Sequence, residues 1–334
     1  MLMRVLRDLR VLAAVAASVG ALAATTLLAS AQSFPTRPMT MIIPFAAGGP
    51  QDQIGRVMGQ RMGEILGQQI VIENVGGAGG MTGSKRVADA QPDGYTFVLA
   101  SVGTHAQSQT MYKRPLYNSE TSFTPVGLIA ETPIALITRK DLPPNNLKDF
   151  ATYAKANQAK MQYGSAGAGS ATHLGCVVLN YVIGVDITHV PYRGTGPAMQ
   201  DLLGGRIDYL CEIVNTAKPQ IDAGTVKAIA IMTKERSPAL PNLPTGIEQG
   251  VANLEAYTWS AIFMPKGAPA AVVSRVNGAM VQAMKTPAVR EALENAGAQV
   301  VPDQRATSEY LGSFLKSEIE KWAAPIKASG VSVD

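Results

Sequence analysis

The stretch MIIPFAAGGPQD, Met41 to Asp52, decides the fold of this 334-residue chain. A short apolar run stops at Pro44 and Phe45, passes into Gly48 and Gly49, and ends on Pro50 and the acid Asp52. Beyond it Ile54, Val57, Met58, Met62, Ile65 and Leu66 fall at steps of three and four, the spacing of one helix face. Strand, glycine turn and helix therefore follow one another within some twenty-five residues. The turn between them presents almost bare backbone.

The same punctuation recurs. Gln69 to Glu73 leads into NVGGAGG and a helical segment from Ser84 to Ala90. The middle of the chain repeats it in MQYGSAGAGSATHLGCVVLNYVIG and in ITHVPYRGTGPAMQDLLGGRIDYL. This alternation predicts an α/β fold with a mixed, mostly parallel sheet flanked by helices. Turn formers crowd DLPPNNLKDF at Asp141 to Phe150 and LPNLPTGIEQG at Leu240 to Gly250, and strand character returns in YTWSAIFMPKGAP. The last helical segment puts Leu311, Phe314, Leu315, Ile319, Trp322 and Ile326 on one stripe, as a docking helix would.

Arg4, Arg7 and Arg10 precede an apolar stretch from Val11 to Leu28 and the small triplet Ala29-Ser30-Ala31, the layout of a secretory signal peptide over 1–31, cut after Ala31. A retained membrane anchor is the competing reading. Cleavage takes three arginines and Asp8 away, so the net charge falls from +4 to about +2, and no basic field suited to nucleic acid remains. With 46% hydrophobic and only 16% charged residues, the rest reads as a large-cored globular chain of two domains or one large one. Export implies an oxidising compartment, where Cys176 and Cys211 either form one disulfide or pack as two buried thiols. There is no CxxC pair, and His105, His173 and His189 lack ligand spacing, so neither a metal site nor a cofactor is expected.

The loops fail the catalytic motifs. In GGAGGMTGSK the lysine follows Gly-Ser, whereas a P-loop needs Gly-Lys-Ser/Thr. GSAGAGSATH has Gly167 and Gly169 without the third glycine of a dinucleotide fingerprint. Neither Ser165 nor Ser170 sits in a GxSxG elbow. An exported serine hydrolase using Ser170 and His173 is the alternative function, against which stands the simpler reading of Ser170 as a helix cap. What remains is binding: a glycine turn before a helix start offers free N–H groups and the positive end of the helix dipole to a small anion, without an arginine. Four such turns suggest two jaws around one ligand.

RPMTMIIPFAAGGPQD, VIENVGGAGGMTGSKRVADAQPDGYTFVLAS, YGSAGAGSATHL, VPYRGTGPAMQDLLGGRID and EKWAAPIKASGV together are similar to the Bug family of periplasmic solute receptors, the substrate-binding components of tripartite tricarboxylate transporters. The resemblance implies a two-domain periplasmic binding protein, type II-like, with small carboxylates enclosed in the interdomain cleft, no enzymatic activity, a membrane permease as partner and a monomeric state. It divides the chain into a first domain over 32–136 and 257–334 and a second over 137–256. It assigns Phe45, Ala46, Gly48, Gly49, Asp52, Ser101 and Thr104 to the first jaw. To the second it assigns Ser165, Ala166, Gly169, Ser170, His173, Tyr192, Arg193 and Gly194, with Arg193 as a bidentate carboxylate partner or a surface cation. YLCEIVNTAKPQI matches a family stretch of a cysteine and an acid, which adds Glu212 to the site and supports the Cys176–Cys211 pairing. Ile213 and Val214 stand there in place of polar residues, a change that favours a more apolar ligand or reflects a repacked wall.

Overall fold

The apolar runs between the glycine turns are too short for packed helices, and they become the strands of one sheet. The computed structural model describes residues 34–333, and the expected signal peptide over 1–31 lies outside them. In chain order the elements are β1 Met39–Ile43, α1 Pro50–Leu66, β2 Ile70–Asn74, α2 Met81–Ala88, β3 Thr96–Ser101, β4 Phe123–Arg139, α3 Leu147–Asn157, β5 Gln162–Ser165, α4 Ala171–Ile183 and β6 Thr188–Pro191. They continue with α5 Thr195–Leu203, β7 Tyr209–Ile213, α6 Val214–Asp222, β8 Val226–Ile231, β9 Tyr257–Pro265, α7 Ala270–Lys285, α8 Pro287–Asn295, β10 Gln299–Val300 and α9 Ser308–Ser329.

The sheet runs β2-β1-β3-β9-β4-β7-β5-β6, with β8 and β10 also on β4. Its flanks are parallel, β1 with β2 and β3, and β5 with β6 and β7. These are the strand-turn-helix units visible in the sequence. Its centre is antiparallel, through β3–β9, β9–β4 and β4–β7, so the sheet is mixed but less parallel than the alternation predicts. The reason lies in the connections. A parallel neighbour needs a crossover, usually helical, whereas β9 is reached through the turn-rich segment 232–256.

Strand β4 joins the two flanks. Its residues up to Pro133 pair with β9, and those from Ile134 onward pair with β7 and β8. The partner changes at a proline, which has no N–H to give to a ladder.

Helix α1 buries Ile54, Met58, Met62 and Leu66 against the sheet, and Gly55 and Gly59 on the same side bring its backbone close to Ile43, Ile70 and Ile72. Gly67, at φ 76°, ends it in the left-handed conformation. In α9 the apolar stripe carries one charge the pattern did not show: Glu318 is buried and accepts hydrogen bonds from Tyr257 Oη at 2.7 Å and from the indoles of Trp259 and Trp322, each at 3.1 Å. Cys176 of α4 and Cys211 of β7 form a disulfide, with a Cα–Cα distance of 5.4 Å. Among the described residues no helix is long and apolar enough to cross a membrane.

Candidate functional site

Three helices begin at one cavity. The loop after β1 runs through Gly48, at φ 81°, to Gly49, the N-cap of α1, and Pro50 takes the first helical position, where a missing N–H costs nothing. Ser170 caps α4, its Oγ accepting the His173 amide at 3.2 Å, and Gly194 is the N-cap of α5. The cavity among them is small, about 20 Å³. Phe45, Pro50, Gln51 and Ser101 line it from one flank of the sheet, Thr258 from the central strand β9, and Ala166, Ser170, Ala171, Thr172, Thr195 and Ile213 from the other flank. This wall contains no lysine, arginine or histidine.

The glycines serve an end the sequence pattern does not reveal. They let the two sets of loops approach each other, not a ligand alone. A Cβ on Gly76 would lie 2.6 Å from Arg193 O, one on Gly103 2.6 Å from Ala171 N, and one on Gly194 2.9 Å from Ala46 N. Three hydrogen bonds tie the loops across the cavity: Ala46 N–H to Arg193 O at 3.0 Å, Tyr112 Oη to Ala168 O at 2.7 Å, and Asn215 Nδ2 to Pro50 O at 3.0 Å.

Of the residues expected at the site, Phe45, Ser101, Ala166 and Ser170 face the cavity directly. The others stand behind or beside it. Thr104 accepts the Ser101 amide at 3.0 Å and shapes that turn. Ala46, Gly48, Gly49 and Gly194 form the loop backbone just described. Asp52 turns its carboxylate back into its own loop, accepting from Gly48 N at 2.9 Å, Arg56 Nε at 2.9 Å and Asn74 Nδ2 at 3.0 Å. Burial pushes this carboxyl up, but those hydrogen bonds outweigh it and hold it below its ordinary value.

Tyr192 donates to Asp201 at 2.7 Å, away from the cavity. Arg193 contributes its carbonyl to the loop contact while its residue is exposed, so its guanidinium is no part of the wall.

The second loop is braced by histidines. His173 Nδ1 accepts the Gly169 amide at 3.2 Å and its ring stacks on His189 at 4.1 Å between centroids. His189 Nε2 in turn bonds Ser165 Oγ at 2.7 Å, and Ser165 Oγ accepts the Gly167 amide at 3.1 Å. Burial lowers His173 to about 3, with a further push from His189, and lowers His189 to about 4. Both rings are neutral supports. The pairing a hydrolase would need is absent: Ser170 Oγ is a helix cap, and the His173 ring is spent on an amide.

Glu212 is fully buried one layer behind the wall residues Thr195 and Ile213. Its Oε1 accepts from Ile213 N at 3.1 Å and Thr216 Oγ1 at 2.5 Å, and its Oε2 has no partner. Burial raises it to about 7, against the lowering effect of these hydrogen bonds.

Sequence reasoning missed Pro50, Gln51, Ala171, Thr172, Thr195 and Thr258, whereas Ile213, singled out as an apolar departure, does line the wall. The helix-start residues were findable, since each lies within two positions of a glycine or serine cap already singled out. Nothing in the strand sequence marks Thr258.

A mixed α/β sheet whose two parallel flanks meet over a small cavity, walled by helix starts and loop backbone, is the architecture of a periplasmic-binding-protein-type solute receptor. The chain belongs to the tripartite tricarboxylate transporter family receptor group, TctC, whose family model matches residues 54–331. It is 40% identical in sequence to the periplasmic binding protein BugD, with a TM-score of 0.87 over 90% of this chain and 99% of that one. MatC from Rhodopseudomonas palustris, solved with bound malate, is 37% identical with a TM-score of 0.86, over 88% of this chain and 100% of that one. An R. palustris protein solved with adipate is 32% identical with a TM-score of 0.85, over 90% of this chain and 99% of that one. The resemblance to Bug receptors read from the sequence is thereby borne out, and the family is one of binding proteins.

Proposed function

We propose that this chain is an exported receptor that captures a small carboxylate in the cavity by closure of two lobes and hands it to a tripartite tricarboxylate-type permease. One observation carries the reading: the starts of α1, α4 and α5 converge on a cavity whose wall holds no basic side chain. Helix starts offer unpaired N–H groups and a positive partial charge, which suits an anion. The lobes are residues 32–136 with 257–334, and 137–256, hinged where β4 changes partners. Residues 1–31 act as the cleaved signal peptide, and the mature chain works as a monomer.

The ligands of MatC and of the adipate-bound relative make dicarboxylates the first class to try. Ile213, Phe45 and Ala166 in the wall extend the set to acids with an apolar body. In a thermal-shift screen of the mature protein against malate, adipate, citrate, glutamate and benzoate, an acid at a hundredfold excess over its Kd stabilises by about 2.7 kcal/mol. A response confined to uncharged compounds would overturn the anion reading.

A further inference from the structure

Among the buried oxygens beside the cavity that have no hydrogen-bond partner are Oε2 of Glu212 and Oγ1 of Thr195. Thr195 is 3% exposed and shares the cavity wall with Ile213, the residue that follows Glu212 in β7, and its hydroxyl is one of the influences that lower that carboxyl against its burial. Buried polar atoms of this kind are rarely left unpaired without a reason. A hydrogen bond from one to the other, continued to a ligand in the cavity, would satisfy both.

A threonine hydroxyl has one proton to give. If Glu212 is ionised, Thr195 must donate to it and turns a lone pair toward whatever occupies the cavity. An incoming carboxylate then meets a lone pair, with a second negative charge one residue layer behind. If Glu212 is neutral, its own O–H donates to Thr195 Oγ1, and the Thr195 O–H points at the ligand. Only the second arrangement accepts an anion.

The charged and titratable groups on the surrounding elements are engaged elsewhere. β4 places Ala135 opposite Glu212, and His173 of α4 is turned to Gly169 and His189. Asp201 of α5 holds Tyr192 and Arg206, Lys218 of α6 holds Asp222, and Asp52 of α1 holds Arg56. Within this apolar surrounding two carboxylates sharing one region retain a proton between them.

We infer that Glu212 is a neutral acid in the liganded receptor and orients the Thr195 hydroxyl toward a ligand carboxylate, so that an anionic ligand is bound together with one proton. The inference rests on the carboxylate-receptor reading above and adds what that reading does not contain: a positioning residue and a proton stoichiometry. Glu212 acts through Thr195, and the proton comes from solvent when the cleft closes.

The test is calorimetric titration with malate and with adipate between pH 6.5 and 8.5, where both acids are already fully ionised, in phosphate and in Tris. Comparing the heats in the two buffers counts protons. Uptake rises toward one per ligand at pH 8.5 and declines toward pH 6.5, and affinity falls up to tenfold per pH unit at the alkaline end. Glu212→Gln abolishes the uptake and flattens the pH profile. Thr195→Val weakens binding and uncouples it from pH, and Thr195→Ser restores both. Thr216→Val removes a hydrogen bond that favours the ionised acid, so the alkaline fall in affinity moves to higher pH, which keeps the idea testable if Glu212→Gln does not fold.

Binding without any proton change at pH 8.5 overturns this inference alone. So does proton release, which would mean that Glu212 ionises to meet a cationic group, and so does uptake that persists in Glu212→Gln. No heat with either acid at any pH overturns the receptor reading for these dicarboxylates, and this inference falls with it.

Discussion

Two carboxyls flank the same cavity and carry opposite states. Asp52 is 4% exposed and Glu212 is fully buried, so burial disfavours the charge on both. Asp52 collects three donors, a backbone amide, a guanidinium and a side-chain amide, and is held ionised. Glu212 has two donors on one oxygen and none on the other, and is raised to about 7. The number of donors, rather than depth, separates an acid that fastens a loop from one that can carry a proton.

The largest expected effect is that of Glu212→Gln on stability as a function of pH. The folded value of about 7 exceeds the ordinary 4.5, so the folded state keeps its proton longer than the unfolded chain does. Stability is therefore undiminished below pH 4.5, declines as pH rises toward 7, and stays lowered above it. Glutamine removes that loss, and denaturant unfolding at pH 8 shows the variant more stable by on the order of 3 kcal/mol, with no gain at pH 4. A variant less stable than the wild type at pH 8, with no loss at pH 4, would put Glu212 in the same class as Asp52.

Asp52→Ala tests the other half. It leaves the Gly48 and Asn74 donors without their acceptor and costs about 2 kcal/mol. The Arg56 pair adds little to this, because its guanidinium is 56% exposed. Urea unfolding at pH 7 reads it, and a loss of ligand affinity with unchanged stability would return Asp52 to a direct contact.

The smallest effect separates Glu212 from the histidines. His173 and His189 have folded values of about 3 and 4, below the ordinary 6.5, so the stability of their neutral forms is present above pH 6.5 and is lost as pH falls toward 4. The cost is about 1 kcal/mol at pH 6. Melting temperatures of the wild type and His189→Gln between pH 7 and 5 should diverge accordingly, opposite in sign to the Glu212 effect.

Much of the site's skeleton was legible in the sequence, because helix starts and tight turns are local. Gly49, Ser170 and Gly194 each stand between a strand-like run and a helical stretch, where caps belong, and the residues just inside them are wall residues. Arg193 reads as a carboxylate partner or a surface cation, and in the fold its carbonyl makes the loop contact while the residue is exposed. No one-dimensional pattern distinguishes those two uses.

The alternation of strand, turn and helix and the family follow from the amino-acid sequence, because each rests on local propensity or on an ordered set of motifs, whereas the bond between Cys176 and Cys211 is left open there and is seen in the fold. Tertiary structure alone decided the antiparallel centre, the partner change in β4 at Pro133, and the unpaired oxygens of Glu212 and Thr195. Those depend on which distant segments arrive beside one another. A side chain's partners, and with them its charge, are set by packing across the fold rather than by its neighbours in the chain.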